Sequence, residues 1–128
     1  MGREYSVELD LIMGVIRVES NFREKITSHA GARGLMQVMP STGRYFKCGV
    51  LFDAQDNVRC GVRILAKLLK RYDGNEVYAL GAYNGGSGYI RKALRKKMVP
   101  PNLGYAEKVL RGRSRYRREG CSGLIRRL

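Results

Sequence analysis

The chain has 128 residues, with 25 Lys and Arg against 11 Asp and Glu, a formal net charge of +14 at pH 7. Its length fits one domain, its 44% hydrophobic content excludes wholesale disorder, and no apolar run approaches the ~20 residues of a membrane span. So large an excess of positive charge points to polyanionic surroundings (nucleic acid, wall polymer or acidic lipid headgroups) without choosing among them.

In chain order, Ser6 reads as an N-cap, with Glu8 in the first turn, for a helix whose apolar residues are Val7, Leu11, Ile12, Val15 and Ile16. The run from Leu11 to Val18 is short, broken by Arg17 and flanked by acids, so it does not read as a signal peptide. Pro40 suits the first position of a second helix through Ser41, Thr42 and Tyr45. A long helix is expected from Gln55 to Tyr72, with an apolar stripe of Val58, Val62, Leu65 and Leu69 joined by Gly61, Ile64 and Leu68. Asp53 and Asp56 read as its caps, and Asp73-Gly74 stops it. Asn75 can cap a short helix through Leu80 and Tyr83 that Gly85-Gly86 ends; Ser87 opens another, through Ile90 and Leu94, broken at Pro100-Pro101. Asn102 can cap a last helix through Tyr105, Ala106 and Val109.

Strand signals are confined to isolated pairs, so an all-α globule of about six helices is expected over residues 1–110. Residues 111–128 carry seven Arg and one Glu, with three Gly, two Ser and no helical period. They read as a flexible basic tail that can add affinity for an anionic surface.

Cys48 and Cys60 can close a ring worth roughly 3 kcal/mol in an oxidising compartment, or stand as two buried free thiols. Cys121, in the tail, reads as free. Three cysteines and the single His29, without CxxC or HxxxH spacing, argue against a metal site, and nothing in the pattern asks for a cofactor.

The first helix holds an anomaly. At about 100° per residue, Glu19 falls between the directions of Ile12, Val15 and Ile16, on the face that should be buried. A carboxyl held against apolar side chains resists ionisation and can keep a proton at working pH, as a general acid must. Swinging out to solvent or pairing with an Arg are the plainer fates for such a residue.

The residues that follow favour the general-acid reading. Glu19-Ser20-Asn21-Phe22 is followed by Ser28, then Gly31-Ala32-Arg33-Gly34-Leu35-Met36-Gln37, and later by Ala82-Tyr83-Asn84-Gly85-Gly86 at a helix end. This order of an ES pair, a GLMQ turn and an AYN triplet resembles the catalytic domain of the soluble lytic transglycosylases, of goose-type lysozyme-like fold, over roughly residues 7–110.

The resemblance implies a substrate cleft, with Glu19 as the single catalytic acid/base and Ser28 near the substrate's N-acetyl group. Gly34, Leu35, Met36 and Gln37 would line the cleft beside the acid, and Tyr83 and Asn84 would lie close to the carboxyl and the scissile sugar. Where the family often carries a Thr-containing segment before the last helix, this chain has Pro101-Asn102-Leu103-Gly104. The residue types suit these roles. Met36 offers a polarizable wall, Gln37 both a donor and an acceptor, and Tyr83 a ring to stack on a sugar and a hydroxyl to aim at developing charge.

The implied activity is cleavage of the β-1,4 bond between N-acetylmuramic acid and N-acetylglucosamine in peptidoglycan, leaving 1,6-anhydro ends. A two-carboxylate glycosidase needs a second acid ~5–5.5 Å or ~6.5–9.5 Å from the first, and no second acid carries a family match. Two alternatives stand: a muramidase that hydrolyses the same bond with Asp53 or another acid as base, and a non-catalytic binder of anionic polymers indifferent to Glu19. No recognised nucleic-acid motif supports a specific nucleic-acid partner, and a monomer is expected. A wall substrate implies the periplasm or cell envelope, reached by export or by a phage or secretion-machinery route. An anionic wall or outer-membrane surface is then a partner for the basic tail.

Overall fold

The computed structural model describes residues 6–127, with side chains as far as Glu119. Among these residues six helices follow one another: α1 (Leu9–Ser20), α2 (Pro40–Tyr45), α3 (Ala54–Arg71), α4 (Glu76–Gly85), α5 (Ser87–Lys96) and α6 (Leu103–Arg127). Extended structure among them is limited to isolated bridges, Thr27 with Arg33 and Arg33 with Val38.

Local capping explains two of the helix starts. The Asp53 carboxylate accepts the Asp56 N–H at 2.9 Å to open α3, and the Asn75 side chain accepts the Tyr78 N–H at 3.1 Å to open α4. Two expected caps are absent. α1 begins at Leu9 rather than at Ser6, and no side chain caps it. Its entry is held instead by Arg117 of α6, which pairs with Glu8 at 3.0 Å and also with Asp10. Asn102 does not cap α6 either. Its Nδ2 donates to the Gly81 carbonyl and to Asn84 Oδ1, each at 3.0 Å, while its buried Oδ1 accepts nothing.

The core gathers Leu11, Val15 and Ile16 of α1, Leu65 and Leu69 of α3, Leu80 of α4, Ile90 of α5 and Val109 of α6. Each such aliphatic side chain contributes about 1.5–3 kcal/mol on leaving water. Helix α4 runs through the middle, packed against α3, α5 and α6, so four consecutive residues from Ala79 to Ala82 are buried. Helices α1 and α6 meet closely at Gly14, where a Cβ would lie 2.6 Å from the Val109 carbonyl oxygen. That approach matters for function, because it sets the C-terminal turn of α1 against the first turns of α6.

The expectation of a flexible tail from Arg111 fails over residues 111–119, which continue α6. Tyr116 is buried, Arg113 binds Glu76 at 2.6 Å, and Arg117 binds Glu8 and Asp10. These partners lie far away in sequence, so the local composition of the segment gave no sign of them. The Cys121 side chain lies outside the described residues. Cys48 and Cys60 are bonded and, with Val38, form a small second apolar cluster that ties the chain after α2 to α3.

Candidate active site

Glu19 stands in the last turn of α1, which ends where Asn21 turns left-handed at φ 51° and bonds back to the Arg17 and Ile16 carbonyls. Ser20 is buried and donates its hydroxyl to the Ile16 carbonyl at 3.1 Å, so the serine of the ES pair fixes the helix end. Glu19 is thereby directed toward α6, where the Tyr105 hydroxyl donates to Glu19 Oε2 at 2.8 Å.

Two opposing effects act on this carboxyl. Burial disfavours its charged form, and the Tyr105 hydrogen bond favours it; burial prevails and the pKa rises from 4.5 to about 7. The carbonyl end of α1 works in the same direction as burial, since a helix C-terminus repels negative charge. No other carboxylate is among the causes of the shift. The acids that read as alternatives are engaged elsewhere, Asp53 in capping α3 and Asp56 in accepting the Val50 N–H at 3.0 Å.

Burial and the nearby Glu19 charge push the phenols of Tyr83 and Tyr105 well above their ordinary range, so both remain proton donors. Glu19, Tyr83 and Tyr105 thus form one electrostatically coupled group drawn from α1, α4 and α6. Tyr83 is not free to aim its hydroxyl at a substrate, because it donates to the Met36 carbonyl at 2.7 Å. That bond ties α4 to the GLMQ turn.

The turn itself is built differently from the sequence expectation. Met36 is not a cleft wall: its side chain is 0% exposed in the main core. Leu35 packs against the same core. Gln37, left-handed at φ 51°, donates its side-chain amide to the Gly34 carbonyl at 2.9 Å and the Ile26 carbonyl at 3.3 Å. Gly34 is buried at φ 80°, and a Cβ there would collide with the Asn57 amide. Ser28 accepts the Ala32 N–H on its hydroxyl oxygen at 3.0 Å, leaving the hydroxyl proton available.

An open groove of about 540 Å³ runs beside this group, walled by Met39, Thr42, Tyr45 and Phe46 on one side and by Tyr83, Asn84 and Ser87 on the other. Lys67 and Arg71 of α3 also face it. Of the residues expected from the sequence, Tyr83 and Asn84 line this groove, whereas Ser28, Gly34, Leu35, Met36 and Gln37 do not. Asn84 accepts a hydrogen bond from Asn102 on Oδ1, which leaves its own amide N–H groups for a ligand. Glu19 is not on the groove wall; Tyr83 connects the two.

Two residues with structural weight here escape a motif reading. Tyr105 looks like an ordinary apolar position of the last helix. Asn57 is fully buried and holds the turn by three bonds, accepting the Met36 N–H at 2.7 Å and donating to the Arg33 and Leu51 carbonyls at 2.8 and 2.7 Å. Its signal was present, since it shares the apolar face of α3 with Gly61, Leu65 and Leu68, as Glu19 shares that of α1. No group of three or more His, Cys, Asp or Glu suited to a metal occurs among the described residues.

Known proteins share both the sequence pattern and the fold. Residues 1–102 match the family described as Transglycosylase SLT domain. A transglycosylase of Enterobacteria phage PRD1 is 34% identical over 97 residues, covering 76% of this chain and 36% of the relative. Membrane-bound lytic murein transglycosylase F of Desulfosudis oleivorans is 34% identical over 106 residues, covering 78% of this chain and 23% of the relative. The crystal structure of the 70 kDa soluble lytic transglycosylase from Escherichia coli superposes with a TM-score of 0.78 at 27% identity, over 88% of this chain and 22% of that one. This chain therefore spans about a third or less of the length of these proteins. With residues 1–102 of 128 matched and the fold shared over 88% of the chain, the chain belongs to the transglycosylase SLT domain family, of lysozyme-like all-α fold.

Proposed function

We propose that this chain is a lytic transglycosylase that cleaves the β-1,4 bond between N-acetylmuramic acid and N-acetylglucosamine in peptidoglycan. The observation that carries the reading is a lone half-buried carboxyl, Glu19, poised near neutrality with a phenol donating to it. At pH 7 about half of such a group holds its proton, which suits one residue that must first give a proton and then take one.

In the first step Glu19 protonates the glycosidic oxygen and the bond from that oxygen to C1 breaks. Positive charge developing at C1 is met by the substrate's own N-acetyl carbonyl. Glu19 is now a carboxylate, and the Tyr105 hydroxyl stabilises it at this stage. The carboxylate then removes the C6 hydroxyl proton and O6 bonds to C1, giving the 1,6-anhydro ring and restoring the acid. Ring closure is intramolecular, so no water needs to be positioned and the entropic cost is low. The Tyr83 ring and the Asn84 amide suit contacts to the sugars along the groove, and the free hydroxyl proton of Ser28 suits the N-acetyl group.

The names of the relatives, a membrane-bound murein transglycosylase and a phage transglycosylase among them, support a cell-envelope setting. Wall polymers are negatively charged, so the +14 charge would hold the protein on its insoluble substrate.

The test is the mass of the muropeptides released from purified sacculi. Anhydro ends, lighter by one water than hydrolysed ends, are expected from the wild-type chain, with no release by Glu19→Gln. Hydrated reducing ends would identify a muramidase instead. Undiminished release by the Gln variant would remove Glu19 from the reaction.

A further inference from the structure

The α1–α6 face carries charge that the catalytic group does not use. A groove of about 590 Å³ lies between Arg17 and Val18 of α1 and the stripe Lys108, Arg111, Arg115 and Arg118 of α6. Spaced at i, i+3, i+7 and i+10, the four cations of the stripe line one helix face over about 15 Å. Among the described side chains, the other two cations of α6 are neutralised within the fold, Arg113 by Glu76 and Arg117 by Glu8 and Asp10. In the groove only Arg115 has an acid, Glu119 at 3.7 Å; Arg17, Lys108, Arg111 and Arg118 have none among the described residues. Like charges gathered around a concave surface repel one another and raise the local concentration of anions.

We infer that this groove is a binding site for a linear, base-free phosphodiester chain of the polyol-phosphate type. The lining selects among polyanions. It contains no aromatic ring on which a nucleobase could stack, as single-stranded nucleic acid requires. Among the described residues the exposed large apolar side chains, such as Leu9, Tyr45 and Val99, are not on this lining, and Val18 is its one apolar side chain, too little to bury in a bilayer. An open groove lined mostly by cations, with Ser114 on its wall, fits a flexible polyol chain whose phosphates meet successive turns of α6. Glu19, Tyr83 and Tyr105 are not on its lining, so binding here uses none of the groups assigned to glycan cleavage.

The test is equilibrium binding of the full chain to a defined poly(glycerol phosphate), measured across a range of salt concentrations. Four unpaired cations predict a slope of log K against log salt of about −3 for a flexible chain. Arg111→Glu with Arg118→Glu should roughly halve that slope and weaken binding by at least about tenfold at low salt. The control Arg91→Glu with Lys92→Glu makes the same change in net charge on exposed positions of α5 and should leave binding within about threefold. If the Glu pair fails to fold, Arg111→Gln with Arg118→Gln takes its place, with the same halving of the slope expected. Equal losses in the α5 and α6 variants would reduce the effect to diffuse charge and overturn the site. Tighter binding of a thymidine oligonucleotide, or of phosphatidylglycerol vesicles, through the same Arg residues would overturn the ligand class.

Discussion

Removing one oxygen atom, in Tyr105→Phe, isolates the force that opposes burial at Glu19. The Tyr105 hydroxyl donates to Glu19 Oε2 at 2.8 Å and so favours the carboxylate. A hydrogen bond to a charged group is worth about 1.5–3 kcal/mol, of which the protonated carboxyl recovers part. A net loss of about 1.4 kcal/mol moves the carboxyl by one pH unit, because one pH unit corresponds to about 1.36 kcal/mol. The sign is fixed: with the donor gone, burial is unopposed and the pKa climbs above about 7. On a short soluble glycan, the alkaline limb of the kcat profile should therefore shift up by about one pH unit. At neutral pH kcat should fall about tenfold, since the carboxylate formed after proton donation loses its support. The phenyl ring still fills the position, so thermal unfolding serves as the check on folding. An alkaline limb that stays in place or moves to lower pH would refute the assignment of Tyr105 as the donor that tunes the acid.

Three further outcomes follow from the same structure. Glu19 titrates near 7 in the folded chain against 4.5 in the open chain, so ionising it costs stability that is absent below pH 4.5 and complete above about 7. Glu19→Gln should therefore match the wild type in urea unfolding at pH 4 and exceed it by up to about 3 kcal/mol at pH 8. Asn57→Ala strips partners from the Met36 N–H and the Arg33 and Leu51 carbonyls, and should lower unfolding stability by roughly 3–5 kcal/mol; a loss under about 1 kcal/mol would show that the turn does not need it. Reducing the Cys48–Cys60 bond should cost roughly 3 kcal/mol, read as a lower midpoint of thermal unfolding with reductant present.

Much of the framework was legible in the chain because it depends on local rules. The apolar stripe of α3, the Asp53 and Asn75 caps and the stop at Gly85-Gly86 are all written within a few residues of where they act. Glu19 was legible for a different reason, as an acid in phase with apolar residues. Asn57 carries the same kind of signal on α3, but no motif drew attention to it.

What was hidden depended on partners distant in sequence. Arg113 and Arg117 look like solvated charges until Glu76, Glu8 and Asp10 are brought beside them, and with those partners a basic segment becomes two more turns of α6. Tyr105 and Glu19 are 86 positions apart. The GLMQ residues were legible as important but not in their roles. A flexible thioether suits a cleft wall and a core equally well, and only the closeness of α3 decides that Met36 is core. Gln37 and Gly34 shape the turn from which the Met36 carbonyl reaches Tyr83, so they bear on the site through the backbone.

Everything in the proposed chemistry depends on the protonation of one side chain. Carbon-13 NMR of the labelled Glu19 carboxyl, assigned by its disappearance in Glu19→Gln and followed from pH 3 to pH 9, reads it directly. A midpoint at about 7 is expected, and a midpoint at 4.5, the value of an open-chain glutamate, would contradict the role of Glu19 as the acid.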